Sequence, residues 1–231
     1  MAKPAMNSFF RNRGSGLATV VLILFAISFA QGAISYAMTL GALDGLLSSD
    51  ESLVTAALVV LRFAFVTALV VLWALKLKHA LFRSIILVNA FFTLALLGHT
   101  IALVGALFGS SSHAVRTLLL DVALMATSNI LIFSIWYWII DPPGVEEIVR
   151  AEEPWDFLFP QRASGLPHYE SWAPRYPDYL FVAFTTSFAF SPTDTLPLSR
   201  RAKMLMLLQA IISVVTLTAI AGSAFNILAG K

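Results

Sequence analysis

The stretch YLFVAFTTSFAF, residues 179–190, decides how this chain is read. SPTD (191–194) follows it, then RRAK (200–203), and then about 25 apolar residues, 204–228. A helix over 179–190 rises about 18 Å, whereas the hydrocarbon core of a bilayer is about 30 Å thick. The first run is too short to cross, and the last is long enough. A half-length helix, a polar break and a full-length helix predict a re-entrant hairpin. Channels and transporters use that device, because broken backbone is tolerated at membrane depth only where it lines a cavity or is buried in protein.

The composition agrees. Of the 231 residues, 58% are hydrophobic and 12% charged, against about 25% charged in an average soluble domain. This predicts an integral membrane protein. The chain has no cysteine, so no disulfide framework or thiolate site is available. No basic tract with interleaved aromatics points to nucleic acid. No HExxH helix, glycine-rich phosphate loop or nucleophile–base spacing points to an enzyme. No cofactor or metal is expected.

Working back from the hairpin, residues 141–178 form a distinct segment. They hold seven of the ten prolines, eight acids against three bases, and six aromatics including Trp155 and Trp172. Proline at that density excludes a long helix, and the aromatics argue against free disorder. The expectation is an ordered, irregular segment on the membrane surface with its rings at headgroup level. Residues 17–140 precede it, with apolar runs at 17–40, 53–75, 84–108 and 117–140. The fourth run ends in the interfacial pattern Trp136-Tyr137-Trp138. Residues 1–16 are basic. Ser28-Phe29-Ala30 resembles a signal-peptide cleavage site. The apolar pattern runs on past Ala30, and a retained helix is the preferred reading.

Lysine and arginine set the orientation. Three basic residues lie in 1–16, three in 76–83 and three in 200–203, whereas the alternate links hold only Arg116. All three clusters fall on one side if there are five crossings. The N-terminus and residues 141–203 are then cytoplasmic, and the C-terminus is outside.

A charge inside hydrocarbon costs about 2.5 to 3.5 kcal/mol on insertion scales, so each one needs a reason. Arg62, His99 and Asp121 all fall in the outer half of the bilayer, roughly 6 to 14 Å from its edge at 1.5 Å per residue. Arg62 is expected to pair with Asp121, with His99 nearby, as a structural lock or as an intramembrane site. On the last run, Gln209, Ser213, Thr216 and Ser223 fall within about 80° of one another at 100° per residue. Such a stripe either packs helices or lines a water-filled path. Asn89 and Asn129 read as interhelical hydrogen-bond partners.

In the hairpin, Asp178 reads as a helix start and Pro192 as its stop. Thr185, Thr186 and Ser187 place hydroxyls in its last turns. Ser191, Pro192, Thr193 and Asp194 fit an S-x-x-D cap. Asp194 is then either a turn-closing cap or an ionisable mouth.

Trp136-Tyr137-Trp138, Asp141, DFLFPQ (156–161), Tyr179-Leu180, AFSPTDT (189–195), Pro197-Leu198, Arg201-Ala202-Lys203 and Asn226-Ile227-Leu228 resemble a group of bacterial inner-membrane proteins of unassigned function. Some of that group are labelled, by similarity, two-pore-domain or potassium-channel-like. The resemblance covers residues 136–228 and implies an inner-membrane location and a channel label. A potassium filter needs glycines where alternate residues take positive φ. Aligning Thr185-Thr186-Ser187 on the filter threonine puts Phe188 and Phe190 there, where positive φ is a rare outlier. A filter of that kind is not expected.

The sequence therefore predicts an all-α transmembrane bundle in the cell membrane, with five spanning helices and one short re-entrant or interfacial helix at 179–190. The parts are 1–16, 17–140, 141–178 and 179–231. Its leading reading is an oligomeric ion-channel-like pore lined by Thr185, Thr186, Ser187, Ser191, Thr193, Asp194, Gln209, Ser213 and Thr216. One hairpin cannot enclose a central pore, so this implies a homo-oligomer, most naturally a tetramer. A proton-linked carrier built on Arg62, His99 and Asp121, and a scaffold binding a partner through 141–178, are the alternatives.

Overall fold

The computed structural model describes residues 3–34, 51–75, 77–108, 115–141, 155–169, 172–189 and 194–228. Their order is α1 (Lys3–Ala33), α2 (Glu51–Ala74), α3 (Lys78–Phe108), α4 (Val115–Ile140), β1 (Phe157–Leu158), α5 (Pro160–Ala163), a 3-10 turn (Pro167–Tyr169), α6 (Tyr176–Ala189), β2 (Leu196–Pro197) and α7 (Arg200–Leu228). Four helices are long and apolar enough to cross a membrane, through Gly16–Ala33, Ala80–Gly105, Leu118–Ile140 and Arg200–Gly222. The second predicted span is the 24-residue α2, whose apolar stretch over the described side chains is the shorter Val60–Ala74.

The bundle is arranged for an oily solvent. Leu87, Leu94 and Ile101, one face of α3, are exposed, as are Met204, Leu207, Ile211 and Val214 on α7. Gln31, Asn89, Asn129, Gln209 and Ser213 are buried. In hydrocarbon, apolar side chains outside cost nothing, while polar ones need protein partners inside. The makeup is that of a multi-pass membrane protein.

The fourth helix is the centre, packed against α1, α3, α6 and α7, while α2 lies against α1 and α3. Leu24 and Ile27 of α1, Phe92 and Leu96 of α3, and Phe133 of α4 form the core with Ile212 of α7. The first helix continues unbroken through Ser28-Phe29-Ala30 to Ala33. Gly16 faces the centre, where a Cβ would just touch the Trp138 indole at 3.4 Å.

Several expectations change. Tyr137 and Trp138 are buried in the bundle, where the interior supplies the polar partner that the Tyr137 hydroxyl needs. Residues 155–169 and 172–175 hold only short elements, and Phe157 and Phe159 belong to the core. Phe157 lies 5.2 Å from Tyr137 and Phe159 lies 5.6 Å from Tyr179, ring centroid to ring centroid. The helices are joined by a two-stranded pairing that an all-α reading omits, Phe157 opposite Pro197 and Leu158 opposite Leu196.

The short helix is a separate element of 14 residues. It starts earlier than predicted. Asp178 is not the cap but sits in the first turn, where its carboxylate accepts from Arg175 N at 2.6 Å while its own N–H donates to Arg175 O at 3.0 Å. That reciprocal bond is a capping-box arrangement. Asp194 does not open the last helix, which begins at Arg200 with Ser199 as its cap, the Ser199 hydroxyl accepting from Ala202 N at 3.1 Å. Ser191 and Thr193 lie outside the described residues.

Candidate functional site

Polar side chains gather at two levels of the bundle. The first level is where α4 ends and α7 begins, fixed by Arg201 NH2 donating to Ile140 O at 3.3 Å. Asp141, fully buried, follows α4 directly. Its Oδ1 accepts from Asp156 N and Phe157 N, both at 3.1 Å. Its Oδ2 accepts from Tyr179 OH at 2.6 Å and Arg162 NH1 at 3.3 Å. Asp156, also fully buried, accepts from Arg201 Nε at 2.7 Å and NH2 at 2.5 Å, and from the Ser199 hydroxyl. Arginine forks of this kind are bidentate and directional. The Leu198 N–H donates to Asp156 O at 2.9 Å. Two ion pairs thus clamp four pieces of chain together: the end of α4, the start of α6, the start of α7 and the 156–162 segment.

The second level is a hydrogen-bonded track between α4, α6 and α7. Gln209 is its node. Its Oε1 accepts from Tyr137 OH, and its Nε2 donates to Ala183 O at 2.7 Å and Ser187 Oγ at 2.8 Å. Asn129 Nδ2 donates to Gln209 O at 3.3 Å and to Ser213 Oγ at 2.9 Å. Thr186 and Thr216 are buried and donate within their own helices, to Val182 O at 2.7 Å and Ile212 O at 3.1 Å. Thr185, half-buried, donates to Phe181 O at 3.0 Å. The stripe on α7 therefore faces α4 and α6 of its own chain. The side chain of Ser223 lies outside the described residues. Asn89 bridges α3 to α4, its Nδ2 donating to Ile132 O at 3.2 Å. Among the predicted path residues, Asp194 is exposed.

These contacts set the course of α6. Gln209 lies eight residues past Arg201, about 12 Å along α7 at 1.5 Å per residue. Tyr179 meets Asp141 at the end of the bundle, and Ser187, eight residues on, meets Gln209 at depth. By Leu196 the chain is back at the end, paired with Leu158. Thr185 to Phe188 are helical, unlike an extended filter.

The remaining buried ionisable residues come one from each of α2, α3 and α4. Arg62, His99 and Asp121 are 7%, 2% and 3% exposed. Arg62 NH1 donates to Gln31 O at 3.2 Å, and Gln31 Nε2 donates to Phe92 O at 2.9 Å. In the sequence Gln31 stands alone inside the apolar run 17–40. Arg62 also acts electrostatically on His99. Arg62 Nε, His99 Nδ1 and Gln31 Oε1 are buried without a hydrogen-bond partner.

Sequence reasoning assigned Asp141, Asp156, Tyr179 and Arg201 no role, although all four stand in the stretches that carry the bacterial resemblance. Ser199 and Arg162 were passed over. Among the described residues no group of His, Asp and Glu is placed to hold a metal ion. No family model, curated protein or solved structure matches the chain.

Proposed function

We propose that the chain is a five-span membrane protein that moves protons or small ions through the interior of a single protomer. In this reading α2 is the fifth span, α6 dips in from the cytoplasmic face, and Arg62, His99 and Asp121 form a titratable site in the outer half of the bilayer. The chain then belongs with the bacterial inner-membrane proteins it resembles, whose shared residues include the clamp of Asp141, Asp156, Tyr179 and Arg201.

The observation that carries the reading is the burial of two titratable side chains and an arginine within the helices, with donor and acceptor atoms still open on Arg62, His99 and Gln31. Ionisable groups at such depth mark ion and proton paths by default. Asn89 Oδ1, Ser128 Oγ and Asn129 Oδ1, also open, extend the series toward the hydrogen-bonded track. An interior path is favoured over a pore between copies because Thr186, Ser187, Gln209, Ser213 and Thr216 are covered by their own chain.

Liposomes carrying purified protein and an internal pH-sensitive dye test this. A pH gradient is expected to collapse faster with wild-type protein, and Asp121→Asn or His99→Gln to slow that collapse about a hundredfold, the scale of a lost proton-transfer group. The same vesicles with sodium or potassium gradients separate protons from cations. No flux under any gradient sinks the reading and leaves a scaffold.

A further inference from the structure

We propose that Arg162 and Trp155 form a binding site for a phosphate group at the Asp141 end of the bundle, independent of whether the interior conducts. The Arg162 side chain is 1% exposed. Its NH1 is occupied, donating to Asp141 Oδ2 at 3.3 Å and Phe157 O at 3.0 Å. Its Nε and NH2 have no partner, and neither does Trp155 Nε1 beside them. Nε and NH2 are the edge of a guanidinium that grips two oxygens of one oxyanion. The Trp155 ring lies against the same guanidinium, 4.8 Å from its centre, and Phe159 lies 5.7 Å away. Three N–H donors, one pair charged, are thus held in place with nothing to receive them. Leaving buried donors unpaired is costly, most of all for a charged group.

Asp141 is already held by two backbone N–H groups and the Tyr179 hydroxyl, so it does not need the whole of the Arg162 charge. Gln161 Oε1 is the one open acceptor nearby. An amide rotates to present its NH2 instead. The surroundings suit the headgroup of an anionic phospholipid, because Leu166, Tyr169, Leu196 and Leu198 are exposed on the pieces of chain flanking the site. Free phosphate offers the same oxygens.

The test uses the full chain in an uncharged detergent, titrated at constant ionic strength with dioctanoyl phosphatidylglycerol or with inorganic phosphate. Binding is read by native mass spectrometry and by the rise in melting temperature. Trp155→Phe keeps the ring and removes the N–H, while Arg162→Lys keeps the charge and removes the fork. The expected result is saturable lipid binding, weakened about tenfold by each substitution, the scale of one charge-assisted hydrogen bond. Trp155→Phe alone decides if Arg162→Lys does not fold. The same weakening with inorganic phosphate, and none with lipid, assigns the site to the free ion. Binding of neither ligand, or equal binding by wild type and Trp155→Phe, overturns the site.

Discussion

Gln209 uses both ends of its amide on three neighbours from two other helices. Gln209→Leu keeps the bulk and removes the partner that the Tyr137 hydroxyl and the Ser187 hydroxyl share. Each unpaired buried group costs about 1 to 3 kcal/mol in water-soluble proteins, while interhelical bonds in membranes average about 0.6. The expected loss is about 2 kcal/mol in detergent denaturation, with Tyr137→Phe losing less and the double variant less than the sum. Additive losses would place the two residues in separate interactions. Gly16 gives a steric counterpart. Gly16→Val pushes two methyl groups toward the Trp138 indole, where a Cβ alone already stands at 3.4 Å. Overpacking costs about 1 to 3 kcal/mol, so a lower melting temperature is expected, with Gly16→Ala close to wild type. Residue identity was legible only in part. Asn129 and Asn89 read correctly as bridging amides, since a lone amide in an apolar run has few other uses. That the Gln31 carbonyl accepts from Arg62 could not be read, because a backbone oxygen leaves no mark on sequence.

Among the elements, α6 and the segment after α4 depend on each other. The short helix packs against α4 and is joined to α7 through Gln209, and its return is tied down by Asp156 and Arg201. Breaking one partner of a buried pair costs about 3 to 5 kcal/mol. Arg201 is 55% exposed, so solvent screening brings the expected figure nearer 1 to 2 kcal/mol. Asp156→Asn should release the β1–β2 pairing and α6 before it melts the long helices, seen as faster hydrogen exchange confined to 176–189. Uniform exchange across the chain would argue that the clamp is not a local latch. The half-length of α6 could be read beforehand because rise per residue is fixed. The clamp could not, because Asp156 and Arg201 stand 45 residues apart and neither lies in a periodic run. Charged residues near proline read as solvated surface until the fold closes over them.

At the scale of the whole molecule, the apolar exterior and polar interior fix the environment but leave several functions open. The long spans were legible from composition alone, since lipid permits few ways to satisfy a backbone. Which buried polar groups merely join helices and which exchange protons depends on their relative depth, and sequence reports depth only along one helix at a time. Gln31, Arg62, His99 and Asp121 come from four different helices, and folding alone brings Arg62 to Gln31. If they act as one site, the pH profile of flux should shift in Asp121→Asn and not in Asn129→Ala. Equal profiles in both variants would reduce the cluster to a lock between helices.

The anchoring of α6 to Gln209 also dictates an order of events at the ribosome. Residues 176–189 emerge after α4, which they pack against, but before α7, which carries Gln209, and a run that short cannot cross the bilayer alone. A chain released just before residue 204 should leave this segment open to added protease in membrane vesicles, and one released after residue 228 should protect it. Biogenesis of this protein would then finish from its last helix backward, with the hairpin docking after translation is done.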